Sequence, residues 1–205
     1  MHAMRRFVIG GLVLLASALA VVSSSAAYAA AANSASGSAL MLTPPPPPGA
    51  TCQTTGSGIF CRGDMTFSDT TVPTGLSCGP FEVLVSDTGT NSFRLHYSSS
   101  GLALEGTFHV NSQGTFINSM TGKTIGNDAH VSQTFDFATP GDASTVTATL
   151  TGAAGIATGK GIGLVAHDVG KVVFDPSGNI LFEGGPHNAL DNFPAFVQAI
   201  CAALS

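Results

Sequence analysis

From Phe81 onward apolar and polar residues alternate with a period of two. Phe81, Val83 and Val85 alternate with Glu82 and Ser86, and Phe93, Leu95 and Tyr97 with Arg94 and His96. Leu102, Leu104, Phe108 and Val110 follow, set against Glu105, Thr107 and His109. Such alternation places one row of side chains in a core and the other in water, which predicts half-buried strands. The pattern continues through Ala129, Val131, Phe135 and Phe137, then Val146, Ala148 and Leu150. "GKGIGLVAH", "KVVFD" and "ILFE" complete it. Ser98 to Gly101, Asn111 to Gly114, Thr139 to Asp142 and Asp175 to Asn179 carry the residues of turns. About eight strands with short links predict an antiparallel up-and-down barrel, with a β-sandwich as the alternative.

The period changes at the end. Phe193, Phe196, Val197, Ile200, Cys201 and Leu204 share one helical face, which predicts a helix over 192–204. Asp191 or Asn192 can cap it, and Pro194 is tolerated in a first turn. A helix of this length is marginal alone in water, so it must dock on the sheet.

The start of the chain follows another pattern. Arg5 and Arg6 precede an apolar stretch from Phe7 to Val22, and small residues such as Ala27-Tyr28-Ala29 follow, as in a secretory signal peptide over 1–32. Residues 33–50, ending in the run Pro44 to Pro48, read as a Pro-rich disordered spacer. The 155 residues from Thr51 to Ser205 are the size of one domain. Loss of the leader removes Arg5 and Arg6, leaving five basic residues against twelve acidic ones, a formal charge of −7. Without a basic patch, nucleic acid is excluded as a partner. No membrane span is expected after signal cleavage, and no part of the pattern fixes an oligomeric state.

Export also bears on Cys52, Cys61, Cys78 and Cys201, an even set in an oxidising compartment. Four cysteines allow three pairings. The Gly-Ser-Gly turn inside "CQTTGSGIFC" favours Cys52 with Cys61, which leaves Cys78 for Cys201.

"CGPFEVLV", "NSMTGKTI", "GKVVFDPSGNIL" and "ICAAL" resemble segments of small secreted actinobacterial proteins of uncharacterised function. The resemblance covers residues 78 to 204 and implies a secreted β-domain with Cys78 and Cys201 in corresponding positions. It implies no activity. The architecture is also similar to lipocalin-type barrels, although the Gly-x-Trp of their first strand has no counterpart in a chain without Trp.

Candidate chemistry is sparse. "TGKT" at 121–124 lacks the earlier glycine of a phosphate loop, and Gly159, Gly161 and Gly163 suggest a bent strand. Arg62-Gly63-Asp64 matches an adhesion tripeptide by three residues alone, and a constrained loop after Cys61 would display it. If residues 97 and 102 bracket a hairpin loop, Arg94 faces Glu105, with His96 and His109 on the same side. If Phe174 faces Leu181, Asp168 comes opposite His187, with His167 beside it. A carboxylate orienting an imidazole suits a general base, and His167, Asp168 and His187 together offer metal-type ligands. No catalytic residue, metal or cofactor is assigned. The leading expectation is a non-catalytic binder of a small apolar or amphipathic ligand. Its alternatives are a cell-envelope or surface interaction module and a barrel enzyme such as an isomerase or cyclase.

The first test is export: the mature protein in culture medium is expected to begin between Ala30 and Asn33 by N-terminal sequencing or intact mass. Recovery of the full 205 residues from the medium contradicts it.

Overall fold

A computed structural model describes residues 40–205; the stretch read as a signal peptide, 1–32, and the first part of the expected spacer lie outside the described residues. The strands are β1 (Thr51–Thr55), β2 (Gly58–Ser77), β3 (Glu82–Tyr97), β4 (Ala103–Asn118), β5 (Thr124–Phe137), β6 (Val146–Gly159), β7 (Gly163–Phe174) and β8 (Ile180–Gly184). Two helices follow, α1 (Asn188–Asp191) and α2 (Phe193–Leu204). All eight strands form a single antiparallel sheet in chain order. Among the described residues β1 and β8 are its edges, so hydrogen bonding does not close it into a barrel.

The strand count agrees with the sequence expectation, but its division does not. Phe81 to Ser86 and Phe93 to Tyr97 belong to one continuous β3, and "GKGIGLVAH" runs into "KVVFD" as β7. "DTGTN", between the first two, is strand interior, where the missing side chain of Gly89 leaves room for the Phe67 ring: a Cβ there would approach Phe67 Cζ to 2.6 Å. The chain before Phe81 supplies β1 and the long β2. Pro73 sits in an irregular part of β2 beyond the stretch covered by β1, where a missing N–H costs no ladder bond on that side.

One face of this sheet collects around α2. Leu76 of β2, Val83 and Val85 of β3, Phe116 of β4, Ile125 of β5, Ala157 of β6 and Ala166 of β7 share a cluster with Phe196, Ile200, Ala203 and Leu204. In a flat sheet β2 and β7 would stand roughly 24 Å apart. A twelve-residue helix is only about 18 Å long, so the sheet must curl around it. Phe67 of β2 likewise packs on the cluster of Val110, Val131 and Leu150, with Phe174 beside it. A third cluster, Ile59, Cys61, Tyr97 and Ala103, fills the far end.

The helix is tied at several points. The Asn192 side chain accepts from Ala195 N at 3.2 Å as its N-cap. Cys201 bonds Cys78 across 5.4 Å between Cα atoms, and Cys52 bonds Cys61 across β1 and β2; both are the pairings the spacing favoured. Buried Asn118 donates from Nδ2 to the Leu204 carbonyl at 3.1 Å, while its Oδ1 accepts from Met120 N and Thr121 N. One side chain thus fixes both the β4–β5 turn and the helix end.

The spacer belongs with the domain from Leu40 onward. Thr43 exchanges backbone hydrogen bonds of 2.8 Å with Gly101 and Ala103, and the Tyr97 hydroxyl donates to the Pro44 carbonyl at 3.0 Å. Leu42 and Ala50 pack on the far cluster. The proline run loses little conformational freedom on docking, and its carbonyls remain good acceptors.

Replacing Cys78 and Cys201 together by alanine is expected to cost about 2–5 kcal/mol in denaturant unfolding, because the bond closes a loop spanning 123 residues. Unchanged stability contradicts a docked, stapled helix.

Candidate functional site

The pairing of β7 with β8 builds the predicted polar cluster. Lys171 pairs with Gly184 and Val172 with Glu183, and the same register reaches a bridge between Asp168 and His187. Beside the turn the register shifts, so that Phe174 faces Ile180 rather than Leu181. Val169 N donates to the Pro186 carbonyl at 2.9 Å, and α1 then begins directly after His187.

Asp168 and His187 are both buried. The Asp168 Oδ1 accepts from Ala189 N at 3.2 Å, and His187 Nδ1 stands 3.9 Å from the same oxygen. His187 Nε2 lies 3.3 Å from the Gly184 carbonyl, which can only accept, so Nε2 carries the proton. The second nitrogen therefore faces the carboxyl. Burial holds the Asp168 carboxyl above its ordinary 3.8, opposed by the Ala189 hydrogen bond and the two histidines and reinforced by Asp191.

His167 does not complete a ligand set. Consecutive strand residues point to opposite faces, and its backbone N–H is taken by Asn188 Oδ1 at 2.9 Å. Among the described residues no group of three His, Cys, Asp or Glu side chains is placed to hold a metal ion. Asp168 and His187 border a cavity of about 40 Å³, lined for the rest mostly by apolar residues such as Val131, Leu150 and Phe174. That volume suits one or two waters. The geometry makes this cluster a clasp between β7 and α1.

The other polar constellations move in register. Leu104 is bulged, so His96 faces Glu105, with His96 Nδ1 3.5 Å from Glu105 Oε1. Arg94 faces Thr107 and, across β2, Arg62. The bulge also corrects the expected inward row: Ala103 is buried and Leu102 is 38% exposed. Arg62-Gly63-Asp64 lies within β2, paired with Arg94, Phe93 and Ser92, rather than on a loop. A Cβ on Gly63 would come within 2.7 Å of the Phe93 ring, so the glycine answers packing. "TGKT" forms the β4–β5 turn, and Gly161 and Gly163, with φ of 76° and 85°, turn β6 into β7 instead of bending a strand.

Three features escaped sequence reasoning because each needs strand register. Asp69 and Asp87 pair across β2 and β3, and burial followed by the Asp69 charge holds the Asp87 carboxyl above its usual range. Asn91 Oδ1 and Gln133 Nε2 are buried without a hydrogen-bond partner among the described residues. The third is a groove of about 770 Å³ on the outer face of β2 to β5. Its side chains form two cross-strand rows, Thr66, Thr90, Asn111 and His130 in one and Ser68, Thr88 and Gln113 in the other.

Comparison with protein-family models, with curated proteins and with solved structures found no match.

A raised carboxyl pKa means that the folded state binds the proton more tightly, so this contribution to stability is complete below 3.8 and is lost as pH rises through the folded value. Asp168→Asn is therefore expected to lose less stability than the parent on going from acid to neutral pH, as read by melting temperature across that range. Parallel pH profiles for the two proteins contradict the raised carboxyl.

Proposed function

We propose that the protein is exported and acts as a non-catalytic interaction module at the cell envelope or surface. We read its sheet as an incompletely closed barrel that serves as a rigid scaffold. The observation that carries this reading is the contrast between an interior cavity of about 40 Å³ and an outer groove of about 770 Å³. Three apolar clusters and the helix occupy the concave side, so an apolar guest of ordinary size has little room there. The outer face stands on long, regularly paired strands, which hold its side chains without any loop having to order. Paired disulfides and a docked proline segment suit a protein that works outside the cell.

The test uses mature protein purified from medium, labelled and titrated onto envelope preparations of the producing cells. Saturable binding is expected, with affinity lowered at least about tenfold by Thr90→Lys, which fills the groove while leaving the clusters untouched. Binding unchanged by that substitution contradicts the reading, as does a co-purifying lipid-like molecule seen by native mass spectrometry.

A further inference from the structure

The outer groove carries a chemical signature, and the inference from it rests on the interaction-module reading. Its lining includes no Asp, Glu, Lys or Arg. It offers the hydroxyls of Thr66, Ser68, Thr88 and Thr90 and the amide of Gln113, and none of these side chains hydrogen-bonds to another described residue. Asn111 Oδ1 and His130 Nδ1 lie 3.0 Å apart, and since the amide oxygen can only accept, the ring N–H donates to it. The Asn111 NH₂ and the His130 Nε2 remain for a ligand, a donor set beside an acceptor.

The spacing is as regular as the chemistry. Neighbouring strands place the polar groups of one row about 4.8 Å apart, and the two rows are roughly 7 Å apart along the strands. Across β2 to β5 the groove presents hydroxyl, amide and imidazole groups over roughly 14 Å. The aromatic or Arg anchor usual at protein hot spots is missing from the surface of this lining, since Phe67 lies beneath Gly89 on the inner side. An apolar ligand would leave the hydroxyls and amides unpaired. A phosphate or acidic polymer would find no cation in the lining; the carboxylates nearby are Asp64, one row away, and Asp128, which pairs with Gln113 and ends the second row on β5. Uncharged chains bearing many hydroxyls match every one of these conditions.

We infer that this groove binds a neutral, polyhydroxylated polymer: an uncharged polysaccharide of the envelope or its surroundings. Each sugar hydroxyl both donates and accepts, as the facing threonine and amide groups do, and an uncharged ligand makes the contact insensitive to salt.

The probes are cellulose, chitin, an α-glucan and a mannan, used in affinity gel electrophoresis and, as soluble oligosaccharides, in calorimetry with the mature protein. At least one is expected to retard or titrate the protein, equally at low and high salt. Thr88→Val with Thr90→Val, which keeps strand-forming shape and removes two hydroxyls, is expected to weaken binding at least about tenfold without lowering the melting temperature. If Thr90→Lys abolishes envelope binding while no neutral polysaccharide is bound, the glycan inference fails and the interaction module stands. Envelope binding indifferent to both groove variants overturns the module and the glycan together. Polysaccharide binding that the valine pair leaves intact overturns the groove as its site.

Discussion

Everything in this fold depends on the burial of one face of a twelve-residue helix inside a curled sheet. Phe196, Ile200 and Leu204 are 0–5% exposed, and burying side chains of this kind contributes about 1.5–3 kcal/mol each. The dependence runs both ways. The helix is too short to persist alone, and without it Val83, Phe116 and Ile125 would face water. Because six strands meet the same cluster, the helix also sets the curvature of the sheet, and with it the relative angle of the strands that carry the outer groove.

The tethers around that packing divide the labour. The Cys78–Cys201 bond limits the unfolded chain, whereas Asn118 acts in the folded state by satisfying the carbonyl of Leu204 and two turn N–H groups. The Asp168–His187 clasp holds α1 to β7 at a place where burial works against the carboxyl's charge. At the opposite end the proline segment and Tyr97 close the third cluster. With the concave side committed to these duties, the convex side is the face left open, and its Thr, Ser, Asn and Gln residues cost little there because they need not be desolvated in the free protein.

Much of this was legible in the residues. The helix and its buried face follow from spacing alone, and so do both disulfides and the opposition of Asp168 to His187. What failed was local register. The short side-chain period of a strand makes a single bulge decisive: Leu104 shifts the hairpin so that His96, not Arg94, meets Glu105. Glycine misled as well: Gly161 reads as strand and turns the chain. The groove was invisible for a plainer reason, since Thr66, Thr90, Asn111 and His130 are far apart in sequence and become neighbours only through three strand pairings.

The central claim, that the terminal helix is a constituent of the core rather than an appendage, is tested most directly by native-state amide hydrogen exchange on the mature, oxidised protein. The account predicts that the amides of Val197 to Leu204 exchange with the same opening free energy as those of Val83, Val110 and Val131, and with the same denaturant dependence. Helix amides that exchange through a separate, less costly opening, while the strands keep full protection, would contradict it.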